Sequence, residues 1–175
     1  MTTYEQAPQS VLDDIAAVIE QHHPHLHEVT FAVLMASNDK EGELALKVRG
    51  HRALATIKIT SLDQRAAGMQ DALLKIDKEH WTDAPKERQM SLLDHELTHL
   101  ELVDYKVDED SGQVTWKTDD IGRPKLRMRN HDFECGVFVS VMQRHGTAAV
   151  DYQVIEKMTS SIERQANGQL KFNWG

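Results

Sequence analysis

His95, Glu96 and His99, in the stretch LLDHELTHLEL, form an HExxH pattern. Residues four apart stack on one face of a helix, so both imidazoles can reach one metal ion, at roughly 2.0 to 2.1 Å from the ring nitrogens if the ion is zinc. Glu96 is turned about 100° from His95, too far round to be a third ligand but well placed to reach a water at the metal. Zinc lowers the pKa of such a water towards about 7, and a carboxylate base then makes it a nucleophile. The chemistry indicated is hydrolysis.

Ten histidines in 175 residues raise the odds that this pattern arises by chance on an ordinary helix, so its placement must decide. At helical spacing Met90, Leu93, Leu97 and Leu100 fall on one side, the stripe expected to face a sheet. His95 and His99 lie on the opposite side, which also carries Leu92, Leu102 and Val103. Glu87, Asp94, Thr98 and Glu101 make a narrow polar strip between the two. The helix is therefore expected to be buried on two sides, with both imidazoles facing a second layer. Unpartnered buried imidazoles are costly, and one metal ion satisfies two of them.

A catalytic zinc usually keeps three protein ligands and an open position. Downstream candidates are His131, Glu134, Cys135 and His145. His131 and Glu134 stand one helical turn apart at the start of HDFECGVF, and only one of them need bind metal. Cys135, among Val137, Phe138 and Val141, reads as a small core residue. His145, beside Gly146, reads as a histidine near the negative end of a helix dipole, with donation to an oxyanion as the alternative role; Tyr105 is a second candidate for it. RPKLRMR places Lys125, Arg127 and Arg129 on one extended face, which suits a charge-protected strand edge or the capture of a peptide by strand addition near the metal, with Arg127 as a substrate contact. HHPHLH (22–27) reads as a solvated loop around Pro24, and VDEDSG lacks the ligand spacing of a calcium loop.

The elements that must position these groups are legible in outline. SVLDDIAAVIEQ (10–21) has helical spacing behind Ser10 as its cap. EVTFAVLMAS (28–37) and two runs within 44–61, divided by Gly50, read as strands, and 69–81 supplies a fourth, with Ala72, Leu74 and Ile76 on one face. TDAPKERQ signals a helix start with Thr82 or Asp83 as cap and Pro85 in the first turn, and the helix is expected to run to about 102. A hairpin follows around Ser111 and Gly112, then an extended segment at 123–130, a helix over 131–146 and a last helix over 150–165.

Length and composition set bounds. The chain fits one domain, 1–175, and its 40% apolar and 27% charged residues are those of a globular protein. A single cysteine excludes an internal disulfide and, with no apolar run of membrane-spanning length and no leader-like start, leads to an expectation of a cytoplasmic protein. The net charge of −8 argues against non-specific nucleic-acid binding and suits a protein or peptide partner.

ALLKIDKEHW, LLDHELTHLEL, GRPKLRMRNHDFE and VMQRHG, in this order, resemble the phage metallopeptidase family, a small zincin-like group related in plan to SprT-like proteases. The resemblance covers roughly residues 30–146 and implies an α+β zincin-like domain: a mixed sheet with the HExxH helix packed on it, a hairpin insertion and C-terminal helices. It implies Zn²⁺ as cofactor, peptide hydrolysis with Glu96 as general base, and a third histidine at the start of a later helix. That histidine corresponds to His131, although Asp132 stands where the SprT-like HGxxF pattern has glycine and the phenylalanines are at 133 and 138. Glu134 stays the alternative ligand, or a group that orients a histidine or binds substrate. The rival function is a binding or inhibitor protein that keeps zinc without hydrolysis and acts on a host protein; the missing CxxC pairs speak against DNA-linked proteolysis.

Overall fold

The computed structural model describes residues 1–40, 43–48, 50–108, 111–131 and 137–166. The elements run β1 (Thr2–Gln6), α1 (Gln9–His22), β2 (Phe31–Asn38), β3 (Leu46–Val48), β4 (His51–Ala53), β5 (Ala55–Ile59), α2 (Leu62–Ala66), β6 (Ala72–Asp77), α3 (Lys78–Asp83), α4 (Lys86–Thr98), β7 (Leu100–Leu102), β8 (Lys106–Val107), β9 (Val114–Thr115), β10 (Leu126–Met128), α5 (Val139–His145) and α6 (Val150–Ala166). This is a mixed α+β architecture around a mixed sheet of order β1-β2-β6-β5. β2 and β6 run parallel, with Val33 opposite Leu74, while β1 and β5 are antiparallel to their neighbours. Three two-stranded ladders accompany it: β3 with β4, β8 with β9, and β7 with β10.

Period-two burial explains the sheet. Ala72, Leu74 and Ile76 of β6 are fully buried, and they join Val33 and Met35, Ala55 and Ile57, the α1 stripe Val11, Ile15, Val18 and Ile19, and Leu92, Leu93 and Leu97 of α4 in one core. α4 packs against α1 and β5. Burying each such aliphatic side chain stabilises the fold by roughly 1.5 to 3 kcal/mol before the entropy of ordering is counted.

Five local expectations are corrected. Residues 78–83 form a separate helix capped by Asp77, whose side chain accepts from the His80 N–H at 2.9 Å, and α4 begins after Pro85 with neither Thr82 nor Asp83 as its cap. α1 starts at Gln9 behind Pro8, so Ser10 lies inside it. The HExxH helix ends at Thr98 instead of 102, because the Arg129 N–H donates to the His99 carbonyl at 2.7 Å and Leu100–Leu102 leaves as a strand against β10. Asp94 and Thr98, expected on a polar strip, are buried. Of the helix expected over 131–146, the described residues are helical only over Val139–His145; residues 132–136, Glu134 and Cys135 among them, lie outside the described residues.

A buried ionic clasp fixes where β10 begins. Arg65 of α2, 6% exposed, pairs with Asp71 and with Asp119 (2.7 Å), while Arg123 reaches Asp71 at 2.8 Å and the Thr30 hydroxyl at 2.9 Å. Burial pushes the Asp71 carboxyl up, but donation from Thr30, Arg123 and Arg65 outweighs it and holds the group below the ordinary carboxylate value. The turn 119–124 is thereby pinned beside the starts of the inner strands β2 and β6. Among the described residues no helix is long and apolar enough to cross a membrane.

Candidate metal centre

His95 comes from the last turn of α4, His99 stands at the C-cap position of that helix, and His131 arrives from the segment after β10. One ring nitrogen from each lies within 4.8 Å of the other two. His95 Nε2 and His131 Nε2 are 3.3 Å apart. Two nitrogens bound at 2.0 to 2.1 Å in a tetrahedral shell stand about 3.3 to 3.4 Å from each other, so this pair has the spacing of one ligand edge.

The remaining nitrogens are held by acceptors. His99 Nδ1 donates to the Arg129 carbonyl at 2.8 Å, and His95 Nδ1 donates to Asp151 Oδ1 at 2.9 Å. Both contacts fix a tautomer that leaves Nε2 as the lone-pair nitrogen. Burial pushes the His99 pKa down to about 4, helped by the charges of His95 and His131 against the Arg129 bond, which keeps this imidazole neutral at pH 7. For His95, burial also acts downwards, yet the Asp151 bond and the neighbouring carboxylates carry its pKa above the ordinary value. Phe138, fully buried, floors the triad with its ring 5.0, 4.8 and 5.0 Å from those of His95, His99 and His131.

Glu96 is 6% exposed and turns towards β5. Burial raises its carboxyl to about 7, against the His95 charge and a hydrogen bond from the Ile57 backbone. A carboxyl poised near neutral pH within reach of the His95 charge is equipped to accept and return a proton.

Asp151 and Phe138 are the functional side chains that the sequence did not disclose. Asp151 opens α6, and its Oδ1 also accepts the Phe138 N–H at 2.8 Å, so a single buried carboxylate orients both a histidine and the aromatic floor. An aspartate in a first turn ordinarily reads as a helix-dipole partner, and nothing local says that it faces a residue 56 positions earlier.

A second cluster, His22, Asp94 and His145, also brings its ligand-type atoms within 4.8 Å. Its chemistry is different. Asp94 Oδ1 accepts from His23 Nε2 (2.7 Å) and Arg144 Nη2 (2.6 Å), and Oδ2 from Arg144 Nε (2.8 Å) and His145 Nε2 (2.7 Å). Four donors fill the four acceptor positions of the carboxylate, so the group is an ion-pair hub joining α1, α4 and α5. Burial opposes its ionisation, but the bonds from His23, Arg144 and His145 hold Asp94 well below the usual carboxylate range. His145 therefore points Nε2 at Asp94 and away from the triad, and His23 of the HHPHLH tract is a buried partner instead of a solvated loop residue.

Tyr105 and Arg127 line a cavity with His25, Glu101, Leu102 and Asp104. Arg127 is paired with Glu101 at 2.8 Å.

The family model described as "Putative phage metallopeptidase" matches residues 2–163. The chain belongs to that family. No curated protein and no solved structure gives a significant match. Membership in a metallopeptidase family implies a metal ion and a peptide or protein substrate, and in this family member the His95, His99 and His131 cluster has a donor set and spacing that fit such an ion.

Proposed function

We propose that this phage metallopeptidase is a zinc-dependent peptidase of the zincin type, with His95, His99 and His131 as the zinc ligands and Glu96 as general base. The observation that carries the reading is the convergence of three imidazoles on one point, two of them oriented through Nδ1, beside a buried glutamate in HExxH register. Zinc, when bound there, would supply the Lewis acid that polarises the scissile carbonyl and makes water acidic enough to lose a proton near neutral pH.

The side chains do the rest. Glu96, held by Ile57 and lifted to about 7, takes the proton from the attacking water and delivers it to the departing amine. Asp151 and the Arg129 carbonyl keep His95 and His99 in the ligating tautomer and orientation. Glu134, the alternative ligand, lies outside the described residues and is given no role. His145, committed to Asp94, is assigned to the hub and not to an oxyanion.

The test is cleavage of a mixed peptide library by zinc-loaded protein, read by mass spectrometry, with Glu96→Gln alongside. The variant should fold, retain zinc and lose hydrolysis by at least about 10²-fold, the usual worth of a general base. Equal cleavage by wild type and Glu96→Gln would overturn the mechanism.

A further inference from the structure

The cavity of about 380 Å³ that contains Tyr105 and Arg127 is not used by the mechanism above. Its position is set by the β7–β10 ladder. Arg127 pairs with Glu101 and Met128 with Leu100, and the Arg129 N–H extends the ladder to the His99 carbonyl. Side chains alternate across a ladder, so Glu101, Arg127 and Arg129 share one face while Leu100, Leu102 and Leu126 point into the core. The Arg129 guanidinium lies 5.2 Å from the Phe138 ring that floors the triad, so the face carrying Arg127 and Arg129 and the triad open on the same side. Glu101 stands two residues beyond His99, about 6 to 7 Å along the strand.

The lining has a distinct chemistry. The Tyr105 ring meets that of His25 edge-on at 5.8 Å, giving an aromatic wall. Arg127 neutralises Glu101 and fixes its carboxylate. Asp104 is exposed, and no hydrogen bond or ion pair engages its carboxylate among the described residues. Its φ of 55° is a left-handed conformation that aspartate tolerates and that orients the residue at the cavity rim. Burial pushes the His25 pKa below its ordinary value, so the imidazole adds no positive charge at pH 7. Two carboxylates and one guanidinium leave the cavity with one net negative charge beside an aromatic face.

We infer that this cavity is a specificity pocket for a basic side chain, lysine or arginine, of the peptide substrate, seated against Tyr105 and neutralised by Asp104. The inference rests on the peptidase reading for its function but not for its binding chemistry. A guanidinium or ammonium gains from both the ring face and the free carboxylate. An acidic side chain or a chain carboxylate meets only an arginine that is already paired. Since an extended substrate advances by about the same 3.3 Å per residue as the ladder, the basic residue should fall two or three positions from the cleaved bond.

Two measurements separate this pocket from the reaction. The first titrates the full-length protein with Nα-acetyl-arginine amide and, in parallel, Nα-acetyl-glutamate amide, following backbone amide resonances. Leu102, Asp104 and Tyr105 should shift with the arginine probe alone, and Asp104→Asn should weaken that binding roughly three- to five-fold, the worth of one exposed ion pair. The second sequences the products of the peptide library, where lysine or arginine should be enriched two or three positions from the cut and Asp104→Lys should remove the enrichment. Arginine-induced shifts without any hydrolysis would sustain the pocket while the peptidase reading fell. Hydrolysis without a basic preference, or shifts equal for both probes, would overturn it.

Discussion

Replacing Asp151 by asparagine tests how much of the metal site lies behind its ligands. The carboxylate is buried, and its Oδ1 receives both the His95 Nδ1–H (2.9 Å) and the Phe138 N–H (2.8 Å). An amide oxygen in the same place can still accept these bonds, so the shape survives, but the bonds lose their charge assistance, which makes them about half as strong. Such outer partners of a ligating histidine are typically worth 10- to 100-fold in metal affinity, or about 1.4 to 2.7 kcal/mol. Asparagine is the informative change because alanine would leave two buried donors unpaired, at about 1 to 3 kcal/mol each, and mix unfolding with weakened ligation. Zinc affinity should be measured by competition with a chelator at about pH 8, where protons compete little for imidazole, beside a circular dichroism melt. A folded Asp151→Asn protein that binds zinc as tightly as wild type would refute the idea that Asp151 tunes His95.

Three further outcomes follow from the same structure. Zinc at about 100 times its dissociation constant should stabilise the wild type by about 2.7 kcal/mol and raise its melting temperature by about 5 to 10 °C, with His95→Ala showing little of either in a thermal melt. Asp71→Ala should destabilise by about 1 to 3 kcal/mol in urea, because it removes one of the two carboxylates that pair the buried Arg65, leaving Asp119, and unpairs one arm of Arg123. Because the folded Asp71 carboxyl titrates below its unfolded value, the stability it adds is full above about pH 4 and is lost as pH falls through the folded pKa; acid unfolding followed by circular dichroism should show the wild type losing stability there more steeply than Asp71→Ala. Leu97→Ala, at a fully buried position on the sheet side of α4, should cost about 2 to 5 kcal/mol by denaturant titration.

The sequence disclosed what is local. The HExxH spacing stacks His95 and His99 on one helix face, and the structure brings His131 to them. Of the stripe Met90, Leu93, Leu97 and Leu100, Leu93 and Leu97 are buried on the helix as the periodicity requires, Met90 is partly buried, and Leu100 is buried as a strand residue of β7. What stayed hidden depends on partners distant in the chain. The helix end at Thr98 is set by Arg129, thirty residues beyond His99, and no capping residue marks it. β1 is a mostly exposed edge strand, TTYEQ, so it carries no alternation to detect, and only its pairing with β2 makes it a strand. The helical wheel places Asp94 on a polar strip between two apolar faces, and its burial is allowed by donors arriving from His23 after α1 and from α5.

The double engagement of Arg129, whose N–H binds the His99 backbone while its carbonyl binds the His99 ring, has a consequence for how this protein can change over evolution. Between the two residues the chain makes a long excursion, and that excursion is closed at its base by the Lys117 N–H to Val103 carbonyl and Lys125 N–H to Lys117 carbonyl bonds. Among the described residues beyond this closure, β8 and β9 are exposed and form a two-stranded ladder with each other. The length of this excursion is therefore uncoupled from the spacing of the three imidazoles. Doubling a flexible loop costs only about 0.6 kcal/mol of closure entropy, so insertions at this tip can accumulate and acquire new contacts while the ladder carries the histidine geometry through unchanged.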